Sequence, residues 1–522
     1  MTTSAKHKPL LQDPIQFLQK SLFCFALGAF AVLGFAPFYL FPATILSLAG
    51  FFYLLQIASN SKQAAWLGYC YGLGLFGTGV SWIYVSLHDF GGMPFLMAAL
   101  ATFAFCAFLA LFPAAFAWFN HLLTQRKKNS APAFPILIAT PALWVLFEWI
   151  RSWIFTGFPW LTMGYSQVPY SPLAGFAPIL GVYGVSLLCA LIASLLVLWF
   201  TSATTANKTM RPKIALGIFL LLILGQGLKF IPWSTPIGAP ISVSLLQGNI
   251  SQDLKWRPDE VLSTLKTYLD MTRQHPAQLV VLPETALPLL LEQVPPDYIN
   301  ALKEAGKGTV LAGVVEDANG GYFSSVVNIG ATPVQSYRKN HLVPFGEFIP
   351  FKAAFGWIYR DWLHIPLTDT AAGGTQQRPL ALAGQQIALN ICYEDAFGEE
   401  IIRQLPQATL LVNATNDAWY GHSLAAYQHM QLSQMRALET GRMMLRATNT
   451  GATAIIDAQG YVLAHLPHFT TAALEGWAQG YSGTTPYVRW GNWPVISLCC
   501  LLLGFLLSQS AHFRLAYKDD KS

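Results

Sequence analysis

Charge is the first thing this chain lacks. Only 11% of its 522 residues are Asp, Glu, Lys or Arg, against 53% hydrophobic and 14% aromatic, which excludes an ordinary water-soluble globule. It also lacks paired cysteines. Of the seven, Cys24, Cys70, Cys106, Cys189, Cys499 and Cys500 lie in apolar runs, where a thiol behaves as a small hydrophobe. With no CxxC and no Cys/His cluster, neither a zinc site nor a disulfide framework is expected. No internal repeat or low-complexity tract is present. No basic cluster sits on the polar part of the chain, which argues against nucleic acid as a partner.

What the chain has is long apolar runs, near residues 21–38, 39–58, 64–87, 93–120, 134–154, 173–201, 212–230 and 493–510. Most are long enough to cross a bilayer core of about 30 Å, so eight transmembrane helices are expected. The break GFAPFYLFPA (34–43) leaves open whether the first two are separate. The basic amino-terminal stretch with its apolar run reads as a retained anchor, because further hydrophobic segments follow it. The expected domains are a membrane part over 1–230, a polar domain over 231–491, and a final span and tail over 492–522. The polar region holds 21 acidic and 16 basic residues, net −5, and the remainder 5 and 15, net +10. Lys6, Lys8, Lys20, Lys62, Arg126, Lys127, Lys128, Lys208, Arg211, Lys213, Arg514, Lys518 and Lys521 fall at the termini or in alternate loops. That asymmetry places both termini in the cytoplasm and the polar domain outside.

Within the polar domain, short runs rich in β-branched residues read as buried strands: 241–250, 277–285, 309–317, 324–330, 385–395, 408–417 and 452–460. Helical patterns at 258–274 and 425–442 alternate with them, which implies an α/β layered domain. Reactive groups on such a sheet collect beyond strand ends. Glu284 ends one run, Cys392 in ALNICYEDAF (388–397) ends another, and Lys339 follows a third short segment. Singly each has a dull explanation: a solvated glutamate or lysine, a buried inert thiol. Together they supply a nucleophile, a base for its proton and a cation for the oxyanion that develops. His341, His364, His422 and His429 share the domain, but spacing ties none of them to Cys392, so a Cys/His device is the weaker reading.

At these residues the chain resembles the nitrilase superfamily, whose Glu–Lys–Cys triad sits on an α-β-β-α sandwich and cleaves or forms carbon–nitrogen bonds. The stretches QGNISQDLKW (247–256), LPETALP (282–288), KNHLVPFGEFIP (339–350), ICYEDAF (391–397) and NATNDAWYG (413–421), with the membrane motif TGFPWLTMGYSQ (156–167), are similar to those of the apolipoprotein N-acyltransferases of Gram-negative bacteria. The resemblance implies a multi-pass protein of the bacterial inner membrane with a periplasmic catalytic domain and no metal or organic cofactor. A phospholipid would be the acyl donor and a diacylglyceryl apolipoprotein the acceptor. By motif position it implies Glu284 as base and acid, Cys392 as nucleophile, and Lys339 with the N–H of Tyr393 at the oxyanion. Glu347 would orient the lysine, and Glu394 and Trp256 match further functional positions. Where the family commonly shows Tyr-Asn-Ser, this chain has YFSS (322–325). Two rivals remain: a membrane-anchored amidase in which water resolves the thioester, and a non-catalytic transporter or scaffold.

Two features bear on lipid. Glu148 and Arg151 share a helix face and would either pair with each other or meet a headgroup. The aromatic segment 348–366, with Trp357 and Trp362, suits a membrane interface and reads as an arm that meets lipid, against a plug packed on the domain's own core.

Overall fold

The computed structural model describes residues 14–125, 133–202, 209–253, 255, 257–318, 320–329, 332–350, 352 and 370–519. Each apolar run carries a helix: Pro14–Ala31, Pro42–Gln56, Ser61–Gly79, Phe95–Gln125, Ala133–Arg151, Ala177–Thr201, Met210–Leu228 and Trp493–Asp519. Among the described residues, four segments are long and apolar enough to cross a membrane, namely Pro14–Gly34, Phe95–Thr124, Pro172–Thr201 and Met210–Leu228. A fifth is added if Ser61–Gly79 and Ile83–Phe90, bent by 56°, form one span. Pro42–Gln56 and Trp493–Ser508 are apolar but shorter. The first two runs are separate helices because Pro42 opens the second at its first turn, where a missing N–H costs nothing.

The polar region folds as two six-stranded sheets. One has the order β12-β1-β2-β3-β4-β5 and the other β11-β10-β9-β8-β7-β6. Their strands are β1 (Ser234–Gln247), β2 (Leu279–Val281), β3 (Thr309–Ala318), β4 (Gly321–Ile329), β5 (Ser336–Arg338), β6 (Leu380–Leu382), β7 (Gln385–Ile391), β8 (Leu410–Thr415), β9 (Met444–Thr448), β10 (Ala454–Ile456), β11 (Val462–His465) and β12 (Ala472–Gly483). Side chains alternate between the faces of a strand, and here both faces are covered. Val243, Leu245, Leu279, Val281 and Leu311 share an inner core with Ile387, Leu389, Ile391, Leu410, Val412 and Leu445. Their neighbours Leu246, Val280, Val310 and Ala312 pack outward on Leu265, Tyr268 and Met271 of the helix Pro258–Gln274. On the second sheet Ala388, Leu411 and Met444 pack outward with Ala437 of the helix Ala425–Thr440. The product is an α-β-β-α sandwich whose parallel strands β1–β3 and β7–β9 aim their carboxyl ends at one rim.

The helix Ala425–Thr440 is polar in sequence, yet 14 of its 16 residues are buried. The membrane part supplies its partners. Gln428 Oε1 accepts from the indoles of Trp82 at 3.2 Å and Trp160 at 2.7 Å. Gln431 accepts from Ala36 N at 2.9 Å and donates to Val168 O at 3.1 Å. Gln434 accepts from Tyr39 Oη at 3.1 Å, and Glu439 accepts from Val182 N at 2.7 Å. Buried polar groups need such partners, so this helix is a polar dowel joining the two parts. Replacing Gln428 with Leu keeps the bulk but orphans the Trp160 indole, which costs about 1–3 kcal/mol. The variant should therefore melt at a lower temperature in detergent, and an unchanged melting temperature would show that this contact does not hold the two parts together.

Candidate functional site

Three carboxyl-terminal strand ends meet at the rim. Strand β7 stops at Ile391, and Cys392 begins a 3-10 turn, Cys392–Ala396, with φ 53°. A non-glycine residue in the left-handed region costs of order 1–3 kcal/mol and is kept only where surroundings enforce it. Glu284 lies just beyond β2, followed by Thr285 at φ 51°. Gly313 on the adjacent β3 makes room for that turn, since a Cβ there would lie 2.2 Å from Pro283 O and 2.8 Å from Glu284 Cα. Lys339 follows β5, its N–H donating to Ser324 O at 2.8 Å. Its Nζ donates to Glu284 Oε1 at 3.1 Å and Glu347 Oε1 at 2.7 Å. An ammonium has three donors, so the two carboxylates leave one N–H available.

The structure thus brings Glu284, Lys339 and Glu347 into direct contact and sets Cys392 within their electrostatic reach. Burial, then the Glu284 carboxylate, pushes the Cys392 thiol well above its ordinary value, with Lys339 pulling the other way. The thiol is therefore neutral at rest, and a base has to remove its proton. Burial opposes the charge on Lys339, but Glu284 and Glu347 outweigh it and hold the ammonium protonated well above the ordinary lysine value.

Glu347 is itself oriented: its Oε2 accepts from Val343 N at 2.7 Å. Glu394 touches neither Glu284 nor Lys339 by hydrogen bond. It clips the lysine loop to the cysteine turn, accepting from Asn340 N at 2.7 Å, His341 N at 3.1 Å, Ile391 N at 2.7 Å and the Tyr337 hydroxyl at 3.0 Å. Burial raises its carboxyl to about 7 in spite of those N–H groups. The Tyr393 side chain turns away to donate to Gly157 O at 3.0 Å, while its N–H lies in the first turn of a helix, where N–H groups have no intrahelical partner. Trp256, Trp357 and Trp362 lie outside the described residues, as does most of 348–366.

Sequence reasoning missed several residues. Asn416 N donates to Glu284 Oε2 at 3.1 Å, fixing the carboxylate from the side opposite Lys339. Lys255 is buried and donates to Glu284 O at 3.2 Å; burial draws it down to about 8 against the pull of Glu284 and Cys392. Both sit inside stretches already singled out, but a lysine or asparagine in a loop carries no signal of its own. Both nitrogens of His429 are engaged, by Asp417 Oδ1 at 2.8 Å and by Asp395 Oδ1 at 2.9 Å.

The membrane motif packs against the turn that follows Cys392. Phe158 and Trp160 stack on the Tyr393 ring at 6.5 Å and 6.3 Å, and His341 reaches Thr156 O at 3.0 Å. Glu148 and Arg151 attract each other at a distance but share no direct hydrogen bond. Arg151 donates to Phe158 O, to Trp160 O at 2.7 Å and to Thr162 Oγ1 at 3.3 Å, while Glu148 accepts from Met163 N at 2.9 Å. Both are buried and serve as the scaffold of this loop.

Residues 242–475, which hold most of this sandwich together with Glu284, Lys339, Glu347 and Cys392, match the family model described as carbon-nitrogen hydrolase. Residues 27–195 match the model described as the apolipoprotein N-acyltransferase N-terminal domain. The chain is 52% identical over 484 residues to an apolipoprotein N-acyltransferase of Nitrosomonas europaea, covering 92% of this chain and 95% of that one. It is 44% identical over 508 residues to that of Chromobacterium violaceum, covering 96% of each. Among solved structures, a CN-hydrolase superfamily protein from Xanthomonas campestris aligns with a TM-score of 0.35 at 19% identity, covering 46% of this chain and 91% of that one, too loosely to bear on the site. The chain belongs to the apolipoprotein N-acyltransferase family.

A neutral resting thiol makes a prediction. Alkylation of Cys392 by iodoacetamide, followed by peptide mapping, should be slower at pH 7.5 than for a free cysteine and still climbing at pH 9. A plateau below pH 8 would mean a preformed thiolate.

Proposed function

We propose that this protein transfers an acyl chain from a membrane phospholipid, through a thioester on Cys392, to the terminal α-amine of a diacylglyceryl-cysteine apolipoprotein. The observation that carries the reading is Lys339 Nζ held between Glu284 and Glu347 beside a buried neutral thiol, in a chain that matches the family over nearly its whole length. Glu284 takes the Sγ proton as sulfur attacks the sn-1 ester carbonyl. The remaining N–H of Lys339 and the N–H of Tyr393 receive the oxyanion. Its collapse breaks the ester C–O bond, Glu284 returns the proton to the departing glycerol oxygen, and lysophospholipid leaves. The amine then attacks the thioester, passes a proton to Glu284, and Sγ departs to be reprotonated. An α-amine has a reference pKa of about 7.7–8.0, so much of it must shed a proton before it attacks.

In this reading all eight apolar helices span the bacterial inner membrane, with 1–230 and 492–522 as the membrane parts, the domain 231–491 in the periplasm and both termini in the cytoplasm. Glu347 orients Lys339, Glu394 and Tyr393 build the nucleophile turn, and Trp256, Trp357 and Trp362 meet lipid.

Incubation with phospholipid should add one acyl mass to Cys392, and a lipopeptide bearing a free α-amine should discharge it as an N-acyl product. Free fatty acid instead would favour the amidase. Cys392→Ser and Glu284→Gln should form no thioester, and Lys339→Met should slow acylation about 10²–10³-fold; a loss under tenfold would remove Lys339 from the oxyanion site. Replacing Trp357 and Trp362 with Ser should impair acylation from bilayer phospholipid far more than from a soluble short-chain thioester. Equal losses on both donors would mean the segment is a plug.

A further inference from the structure

Beneath the cysteine turn lies a cluster of four ionisable side chains drawn from four elements: Asp395 in the turn after β7, Asp417 after β8, His429 on the helix Ala425–Thr440, and Arg446 in β9. None is more than 2% exposed. His429 Nδ1 meets Asp417 Oδ1 at 2.8 Å and its Nε2 meets Asp395 Oδ1 at 2.9 Å. Arg446 donates to Asp395 Oδ2 at 3.0 Å, to Asp417 Oδ2 at 2.8 Å and to Asn413 Oδ1 at 2.9 Å. Ser433 also donates to Asp395. A neutral imidazole has one N–H, so one of its nitrogens would present a lone pair to a carboxylate; with His429 protonated, two cations balance two anions, Nδ1–H serves Asp417, and Nε2–H is shared between Asp395 and the Cys392 carbonyl. Burial and Arg446 work against that proton, but the two carboxylates prevail and carry His429 up to about 9.

Burying so many ions is unfavourable unless they are fully paired, and the proposed chemistry uses none of them. Their outlet is a single atom. The carbonyl oxygen of Cys392 accepts from His429 Nε2 at 3.2 Å and from Asn413 Nδ2 at 3.2 Å, and Asn413 is itself held by Arg446. A trans peptide is planar, with its C=O and the following N–H pointing opposite ways. Pinning the Cys392 carbonyl into the cluster therefore turns the Tyr393 N–H outward, away from the core. The same grip supports the left-handed φ of Cys392.

We propose that His429 is a positioning residue: protonated between Asp395 and Asp417, and together with Asn413, it pins the Cys392–Tyr393 peptide so that its N–H faces the reacting carbonyl. This rests on the reading in which Tyr393 N–H holds the oxyanion. Besides Asp395, Asp417 and Arg446, the groups packed on the imidazole are the Cys392 carbonyl and, from the membrane side, the Trp160 ring at 5.5 Å. Because the folded value is raised, the stabilisation is complete below the unfolded value near 6.5 and is lost as pH rises through about 9.

The test compares two reactions of one thiol. Acylation by a soluble short-chain thioester builds an oxyanion; alkylation by iodoacetamide does not. His429→Gln should slow acylation roughly tenfold to a hundredfold, less than outright loss of a donor, with KM and the alkylation rate changed less than threefold. Raising the pH through about 9 should shrink the gap between wild-type and variant acylation rates, while the ratio of their alkylation rates stays constant. Acylation and alkylation changing together, or neither changing, would overturn the proposal. If His429→Gln does not fold, Asn413→Ala keeps all four charges, removes the other donor and must show the same split; equal effects on both reactions there would overturn it as well. Absence of any acyl adduct on wild-type Cys392 would refute the underlying thioester reading instead, a separate result.

Discussion

A buried ammonium held between two carboxylates governs this site. Lys339 is 1% exposed, and a charge so placed survives only if paired and hydrogen-bonded. The pairing sets everything near it. Glu284 cannot swing away without stranding the cation, so the carboxylate stays where Asn416 N and Lys339 Nζ hold it. Burial first, and then the Glu284 carboxylate, keep the thiol neutral. The cation opposes that rise, so it favours the thiolate once the proton moves. One side chain thus positions the base, moderates the nucleophile and keeps a donor in hand.

The membrane part completes this centre as a wall. Its loop 157–163 has few chances to pair its own backbone, and an apolar setting leaves unpaired carbonyls costly. Arg151 meets two of those carbonyls and Glu148 one N–H. These two charges thus hold the loop in place, so that Phe158 and Trp160 meet Tyr393 as a flat aromatic face. Tyr393 in turn follows Cys392 directly in the chain, so the aromatic face buttresses the turn that carries the nucleophile.

Much of this was legible in sequence, for identifiable reasons. Strands buried on both faces read as continuous apolar runs, so β3, β7 and β8 stood out, and so did the strand-end positions of Glu284 and Cys392. Strand β9 did not, because Arg446 interrupts MLRAT (444–448); a buried arginine looks like a surface residue until its partners, 13 to 51 positions upstream, are brought alongside. Strand β12 was missed for the opposite reason: as an edge strand pairing only with β1, AALEGWAQGYSG carries small and polar residues that mimic a loop. Asp395 followed a glutamate in plain view, yet adjacent acids give no hint that one clips loops and the other pairs with a histidine.

Composition changes sharply near 230 and 491, yet buried polar contacts cross between the two parts. Gln428 and His429 are consecutive: one accepts from the indole of Trp160 in the membrane loop, the other donates to the Cys392 carbonyl. Three residues on, Gln431 reaches Ala36 N, and further along Glu439 reaches Val182 N beside the helix break at Gly181. Separating the sandwich from its helices would leave these amides and a buried Arg436–Glu439 pair facing water or each other, and would strip the wall from Tyr393. The polar helix is therefore intelligible only as an interior element of the whole chain. Its hydrophilic sequence reflects partners in the membrane part, and the same three-residue spacing that would put such side chains in solvent on an isolated helix here puts them between the lipid-facing helices and the nucleophile.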